Sequence, residues 1–287
     1  MDSIDENKDA LGLVNDANKG LKTLPTGKPH VSFSEIKEWV DCSYRHKLHQ
    51  VSKIDLDIPS PYLVFGTAVH SGCEKFLRTK NVSVSEEVAA FKASWIEAEK
   101  TSSVPGFSFG EIESWISSFE SILTAVPTFF DSTFPGWELV SAEEELYEPI
   151  ATKDYNFKGF IDCVVKVKGA RGKDVFWILD WKTSSFGWRR PKRDDFMTKA
   201  QLMLYKHYWS VKHGIPLKDS RCGFIILKRN SKPDRRCELF KVSVGNVTAD
   251  RVVKIVNNMV SAVTKGIAIK NKNSCRYCPY RDTEHCT

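Results

Sequence analysis

The most informative stretch of this sequence is Ile178-Leu179-Asp180-Trp181-Lys182-Thr183. It closes an apolar run from Val175 to Lys182 that predicts a buried strand. Because side chains alternate across a strand, Asp180 and Lys182 point to the same side and can share one pocket. The carboxylate can bind Mg²⁺, which prefers oxygen ligands, and the lysine can hold an attacking water or stabilise developing negative charge. The pair alone is a weak signal, since surface ion pairs often give the same pattern.

A second acid lies on the preceding predicted strand, residues 156–168. Asp162 ends the segment Gly159-Phe160-Ile161-Asp162, where an unpaired carboxylate among apolar residues costs free energy. Residues 169–172 predict a hairpin turn between the two strands. Asp162 and Asp180 can then meet at one metal. The alternative is an Asp162 at a strand edge that faces water.

Two predicted helices carry further polar residues at the spacing of one helical turn. One follows Gly66 and runs to about Leu77, with His70 and Glu74 on the same face. An imidazole there can complete a metal site or orient a water. The other spans about 194–213 and carries Gln201 and Tyr205, which can contact phosphate or fix catalytic groups. Taken singly, each of these residues is more often an ordinary structural residue.

The order of the predicted elements indicates the fold class. Helices begin after Ser34 and near residues 85 and 110, strands cover 139–149, 222–227 and 237–244, and a helix covers 248–267. This order predicts an α/β fold, a mixed sheet flanked by helices with an N-terminal helical lobe. The predicted divisions are a flexible tail 1–30, a helical lobe 31–136 with the first cysteine and His70, a core 137–270, and a cysteine segment 271–287.

Composition and charge narrow the setting of the protein. Lys and Arg outnumber Asp and Glu by 42 to 36, a net charge of +6 that is compatible with a polyanionic partner without establishing one. No apolar run is long enough to span a membrane, and residues 1–30 contain no signal-peptide core. We therefore expect an intracellular protein, cytoplasmic or nucleoid-associated, with reduced cysteines. No Walker A motif occurs, so any ATPase motor would be a separate partner.

The spacing of four cysteines predicts a metal site. Cys275, Cys278 and Cys286 follow the pattern C-x2-C-x7-C, and Cys42 lies far upstream. Thiolates suit zinc or iron–sulfur clusters, and zinc sites usually present two local pairs rather than one cysteine plus three. His285 is an alternative ligand if the metal is zinc. The other cysteines are predicted to be buried thiols within helices or strands: Cys73, Cys163, Cys222 and Cys237.

A basic loop follows the strand that carries Lys182. Its aromatic and cationic side chains can stack on bases and contact phosphates, and they predict a nucleic-acid-binding segment: Phe186, Trp188, Arg189, Arg190, Lys192 and Arg193. A second basic stretch, residues 228–236, is more weakly indicated because charged loops are usually only solvated.

The motifs occur in an order that resembles the RecB-type branch of the PD-(D/E)XK nucleases. They are G-x-x-x-H at 66–70, G-x-x-D at 159–162, D-x-K at 180–182 and Q-x-x-x-Y at 201–205, and the resemblance extends from Val31 to the C-terminus. It implies a restriction-endonuclease-like core. It further implies that His70, Asp162 and Asp180 bind Mg²⁺ or Mn²⁺, that Lys182 serves catalysis, and that Gln201 and Tyr205 support the site. Glu74 is a weaker addition.

The cysteine spacing is similar to that of the iron–sulfur members of this branch, the AddB-type and Cas4-like nucleases. The similarity implies a C-terminal cysteine clasp in which a [4Fe–4S] cluster is held by Cys42, Cys275, Cys278 and Cys286, with zinc as the alternative. The seven-residue gap before Cys286 is longer than the common form and leaves the fourth ligand open.

The resemblance implies a Mg²⁺- or Mn²⁺-dependent exonuclease that hydrolyses phosphodiester bonds at DNA ends. Its substrate would be single-stranded DNA or DNA with free ends, in repair, recombination or phage replication, with a helicase or recombination protein as partner. One alternative is a structure-specific endonuclease on the same core. The other is a non-catalytic iron–sulfur subunit that binds DNA, against which the filled catalytic positions argue.

Overall fold

The computed structural model describes residues 20–56, 60–102, 108–151, 153–169 and 172–287. The chain divides into two compact units. We call residues 1–55, 147–159 and 253–287 the terminal unit, and residues 56–146 and 160–252 the central unit. Each is therefore assembled from separate chain segments, and the domain boundaries expected from the sequence stay a prediction.

The strands form a six-stranded mixed sheet in the order β1-β3-β4-β5-β6, with β2 also paired to β3. Neighbours in that order alternate between parallel and antiparallel pairing, from β1/β3 parallel to β5/β6 antiparallel. The predicted α/β class with a mixed sheet is confirmed. The strands are β1 His30–Ser32, β2 Glu138–Pro149, β3 Asn156–Lys168, β4 Asp174–Ser184, β5 Ser220–Lys228 and β6 Cys237–Val242.

Among the described residues, five α-helices precede β2, which confirms the predicted N-terminal helical region. The helices are α1 Phe33–Asp41, α2 Ser43–His46, α3 Pro61–Thr79, α4 Val84–Lys100, α5 Glu113–Thr133, α6 Arg190–Asp194, α7 Phe196–His213 and α8 Asn246–Thr264. A π-helical turn covers Lys47–Val51, and a 3₁₀ segment covers Lys272–Tyr277. No helix among the described residues is both long and apolar enough to cross a bilayer.

The core of the central unit is rich in aromatic side chains. Phe65 on α3 packs edge-to-face against Phe91 of α4 and Phe119 of α5, with ring centroids 5.8 and 6.2 Å apart. Phe130 of α5 reaches Trp181 of β4 at 5.9 Å. Large buried rings contribute most to the apolar area removed from water. They fix α3, which carries His70, against the strand that carries Asp180 and Lys182.

In the terminal unit, residues before α1 already pack against the fold. Residues 1–19 of the predicted flexible tail lie outside the described residues, whereas Leu24 is buried and Lys22 pairs with Asp154. The Ser32 side chain caps α1 by accepting the Glu35 N–H, a common signal for a helix start. Glu35 in turn lies 3.1 Å from His46 in a buried pair.

Candidate active site

Asp162 and Asp180 meet where β3 and β4 stop pairing as strands. The antiparallel ladder ends at Cys163 opposite Leu179. One residue further, the Trp181 N–H donates to Asp162 Oδ2 at 2.7 Å, so a carboxylate takes the place of a backbone partner. Both acids are buried: Asp162 is 9% exposed and Asp180 1% exposed. The sequence-based expectation that the two strands adjoin is therefore matched by the register.

Lys182 supplies the positive charge of this group. Its Nζ lies 2.6 Å from Asp180 Oδ2, at ion-pair distance, but that oxygen accepts no hydrogen bond of good geometry from any described residue. Burial lowers the pKa of Lys182, and the attraction of Asp180 and Asp162 outweighs it, so the net shift is upward. Lys182 is therefore a cation at neutral pH.

Two neighbouring carboxylates in a buried position fit a divalent cation. Burial raises the pKa of Asp162 well above its usual value, and the negative charge of Asp180 adds to this shift. A hard cation that prefers oxygen ligands would offset both the burial of the carboxylate charge and the repulsion between the two acids. The Asp180 Oδ2 atom, which has no hydrogen-bond partner among the described residues, is a suitable ligand for such a cation. In the described part of the chain, no three His, Cys, Asp or Glu side chains are already arranged around one metal position.

His70 adds an imidazole from α3. Its Nδ1 lies 3.5 Å from Asp162 Oδ2. Burial lowers its pKa, Asp180 opposes this effect and Lys182 adds to it, and the net shift is downward. The neutral ring that results is the form that can act as a metal ligand. His70 and Asp162 line one cavity of about 500 Å³ in the central unit.

Glu143 of β2 lines this cavity and is absent from the sequence-based set. Its backbone has φ 53°, the left-handed region that a non-glycine residue adopts at a cost. Burial raises its pKa, and Glu74 and Asp180 raise it further. Nothing in the local run Glu143-Glu144-Glu145 distinguishes the residue that faces the cavity. Glu74 also lines the cavity and pairs with Arg78 at 2.8 Å.

Gln201 and Tyr205 lie together on α7, as their spacing predicts. Gln201 Nε2 donates to the Tyr205 hydroxyl oxygen at 3.1 Å. Tyr205 is buried, and burial raises its pKa, with a further upward contribution from the negative charge of Asp180. The phenol therefore stays protonated and can act as a hydrogen-bond donor beside the acids.

The predicted nucleic-acid-binding loop is only partly available to a ligand. Trp188 is 6% exposed and packs on Phe224 at 4.9 Å, so the structure assigns its ring to the core rather than to a stacking surface. Lys192 Nζ lies 4.5 Å above the Trp188 ring, and Arg193 pairs with Glu238. The remaining basic side chains are exposed and stay a prediction for phosphate contacts: Arg189 and Arg190.

The four predicted cluster cysteines line one cavity of about 480 Å³ in the terminal unit: Cys42, Cys275, Cys278 and Cys286. All are free thiols. The Asn271 N–H donates to Cys42 Sγ at 3.4 Å, and several basic side chains line the same cavity, including Lys270 and Arg276. The thiols do not converge as a preformed metal-binding group within the described residues.

Comparisons with known proteins place the chain in a family. The model of the PD-(D/E)XK nuclease superfamily matches residues 30–283. The chain therefore belongs to the PD-(D/E)XK nuclease superfamily, and the predicted family is confirmed at this level. A search of curated proteins found no relative. The match does not distinguish an iron–sulfur branch, which stays a prediction.

One solved structure supports the fold. A crystal structure of a protein from Eubacterium rectale, provisionally named an exonuclease, is similar to this chain with 14% identity and a TM-score of 0.53. The similarity covers 98% of this chain and 94% of that one. A second structure, SSO0001, covers 83% of this chain and 91% of its own at 17% identity, with a TM-score of 0.35 that is too low to support an argument.

Proposed function

We propose that the protein is a metal-dependent DNA nuclease, with its active site at the cavity lined by His70 and Asp162. The observation that carries the proposal is the group of two buried carboxylates and one protonated lysine at the point where β3 and β4 separate. Two adjacent carboxylates can hold a divalent metal and a lysine can stabilise negative charge, which together suit metal-assisted phosphodiester hydrolysis. The superfamily supplies the nucleic-acid substrate class.

In this proposal Asp162, Asp180 and His70 hold Mg²⁺ or Mn²⁺. The ion would polarise the phosphate and lower the pKa of a bound water. Lys182 places a positive charge beside Asp180, where it stabilises negative charge on the phosphate oxygens in the transition state. Tyr205 contributes a protonated hydroxyl, held by Gln201, next to these groups.

Exonuclease activity on DNA ends is the form that we favour. Its support is the name of the similar Eubacterium rectale protein, together with a basic loop beside the β4 strand for the phosphate backbone. A structure-specific endonuclease on the same core is the second candidate. The non-catalytic reading is disfavoured because His70 and Asp162 line one cavity, and Asp180 and Lys182 lie on either side of Trp181, whose N–H donates to Asp162.

We also propose that the cysteine cavity holds a [4Fe–4S] cluster as a structural cross-link. Its support is the common cavity of the four thiols, the N–H donor to Cys42 Sγ, and the lysines and arginines that would balance an anionic cluster. Zinc is the alternative, with His285 as a substitute for the fourth cysteine ligand.

The test is cleavage of end-labelled DNA by the full chain. Single- and double-stranded substrates are incubated with Mg²⁺ or Mn²⁺, with the wild type, Asp180→Asn and Lys182→Met. We expect metal-dependent loss of the labelled end nucleotide and at least a 100-fold lower rate for each variant. Asp180→Asn weakens the metal site, and Lys182→Met removes the positive charge that stabilises the transition state.

A matched pair of control variants lies on the same two strands. Lys168 Nζ and Asp174 Oδ1 are also 2.6 Å apart, in an exposed ion pair at the far end of the hairpin. Asp174→Asn and Lys168→Met should cleave at the wild-type rate. Equal losses from both pairs, or intact DNA with every metal, would refute the proposal. Internal cuts without release of end nucleotides would select the endonuclease.

A further inference from the structure

Tyr62 is an exposed aromatic residue at the candidate active site. It lies in the first turn of α3, its side chain is 61% exposed, and it lines the same cavity as His70 and Asp162. The next residue, Leu63, is 71% exposed and lines the cavity too. Two large apolar side chains in water at the mouth of a polar cavity indicate a contact surface for a ligand.

The Tyr62 ring is held in place from one side. It meets the buried Trp115 ring edge-to-face at 5.3 Å. The Arg229 guanidinium lies 3.8 Å from the Trp115 ring centroid and 5.5 Å from that of Tyr62. A ring fixed by these two neighbours loses little conformational entropy when a flat ligand binds to its open side.

Arg229 is itself anchored to the loop after β4. Its N–H donates to the Ser184 carbonyl oxygen at 2.8 Å, and a guanidinium N–H reaches Ser185 Oγ at 3.5 Å. Ser184 lies two residues after Lys182 in the sequence. A cation beside the aromatic rings is thereby bonded to the end of the strand of the candidate catalytic lysine, and it can contact a phosphate.

We propose that Tyr62, Leu63 and Arg229 form a stacking site for an unpaired nucleotide of single-stranded DNA at the mouth of the active site. This inference rests on the proposed nuclease function and names the feature of the substrate that is recognised. Every base offers an aromatic face, so stacking on Tyr62 is independent of sequence. Bases inside a duplex already stack on their neighbours, and the site therefore selects ends that are single-stranded.

The test is a binding titration of the full chain without divalent metal. A single-stranded oligonucleotide carries the fluorescent base 2-aminopurine near one end, and stacking quenches it. We expect quenching with the wild type and with Tyr62→Phe, which keeps the ring. Tyr62→Leu should abolish the quenching and weaken binding about 5-fold or more, the size of one base–aromatic stack. A blunt duplex should show a smaller difference between the variants.

Arg229→Met should also weaken binding, because it removes the cation beside the Tyr62 ring, and Arg221→Met is its control for a general loss of charge. Arg221 also lies over an aromatic ring, that of Trp177 at 5.8 Å, but at the opposite end of β5 from Lys228. It should bind and quench as the wild type does. Unchanged quenching in Tyr62→Leu, with normal cleavage by the wild type in Mg²⁺, would overturn the stacking site alone. A wild type that cleaves no DNA would overturn the proposed function, and this inference with it.

Discussion

The buried acids are kept at a cost to stability. Asp162 lies among apolar residues beside a second carboxylate, and it accepts a backbone hydrogen bond from the Trp181 N–H. Lys182 is one cation beside two carboxylates, so a negative charge is left unbalanced, and a buried unbalanced charge destabilises the folded state. The arrangement supports the proposed metal site, since the packing of the sheet gains nothing from it.

Asp162→Asn should therefore stabilise the metal-free protein. The amide oxygen can still accept the Trp181 N–H, while the repulsion from Asp180 disappears. We expect a gain of roughly 0.5–2 kcal/mol in the free energy of unfolding in EDTA, measured by denaturant titration, together with loss of cleavage. A less stable variant in EDTA would contradict this account. Asp174→Asn, at the exposed end of β4, should change neither quantity.

At this scale the sequence predicts the residues that follow a strict period. Asp180 and Lys182 share a face because strands alternate, and Gln201 and Tyr205 meet because helices repeat. Glu143 has no such signal, since its position depends on a left-handed backbone within an acidic run. Trp188 was predicted to be a surface residue of a basic loop, but the apolar pocket of Phe224 and Phe240 holds its ring.

Helices α3 and α5 pack closely at Gly72. A Cβ added there would lie 2.8 Å from the buried Leu123 side chain of α5, whereas one at Gly66 would meet only Thr183 Oγ1 at 3.5 Å, an ordinary contact. Both glycines lie inside the same helix, so replacement by alanine brings the same gain in helix propensity.

The comparison of Gly72→Ala with Gly66→Ala therefore isolates the packing effect. We expect Gly72→Ala to be less stable by about 1–3 kcal/mol, because an added methyl group overpacks the interface of α3 with α5. Thermal or urea unfolding of the two variants measures the difference. Equal stabilities would show that Leu123 moves aside at no cost.

Glu144 joins β2 to α7 within the central unit. Its carboxylate accepts hydrogen bonds from Trp209 Nε1 at 3.1 Å, Lys212 Nζ at 2.9 Å and His213 Nε2 at 2.7 Å. Burial alone would raise the pKa of Glu144, but the hydrogen bonds from Ser141, His213 and Lys212 outweigh it and lower the pKa to about 2.

This carboxylate makes a pH-dependent contribution to stability. Because its folded-state pKa is depressed, the contribution is complete above the unfolded value of 4.5 and is lost as the pH falls towards about 2. Glu144→Gln should destabilise the protein at pH 7 by roughly 1–3 kcal/mol. The difference from the wild type should shrink as unfolding is measured at decreasing pH. A difference that is constant from pH 7 to pH 3 would exclude the ionised form as its source.

The beginnings of elements are less predictable than their type. The helix with His70 was predicted to follow Gly66 but begins at Pro61, because proline fits the first turn of a helix, where its missing N–H is not needed. This earlier turn carries Tyr62, so Tyr62 was not among the candidate site residues predicted from the sequence. The strands from β2 to β6 are recognisable in the sequence because runs of β-branched and aromatic residues are separated by turn residues.

For the molecule as a whole, the sequence predicts the family and the sheet but not the division into units. Motifs in a fixed order are a property of one chain, whereas each unit combines segments from distant positions, such as residues 147–159 with 253–287. Pairing of the short strand β1 with residues 156–158 likewise has no local signal.

The proposed cluster in the cysteine cavity can be tested by substitution of one of its cysteines. Cys42→Ser should reduce the iron and acid-labile sulfide of anaerobically purified protein and weaken its visible absorbance. Cys222→Ser is the matched control, since its buried thiol lies in β5 and donates to the Val242 carbonyl oxygen, as a serine can. Stoichiometric zinc would establish the alternative, and protein without metal would contradict both.

The contacts of α1 and α2 with the end of this sequence have a consequence for synthesis. The Asp41 carbonyl oxygen accepts bonds from Asn271 Nδ2 and Ser274 Oγ, and the Tyr44 N–H donates to the Ile269 carbonyl oxygen. Asp41 and Asn271 are 230 residues apart, so a ribosome needs roughly ten seconds or more to supply the partner. Helices α1 and α2 are therefore synthesised well before the segment that they contact. A chain that ends before residue 269 would leave α1 and α2 without these contacts. It would also lack the three cysteines that share a cavity with Cys42.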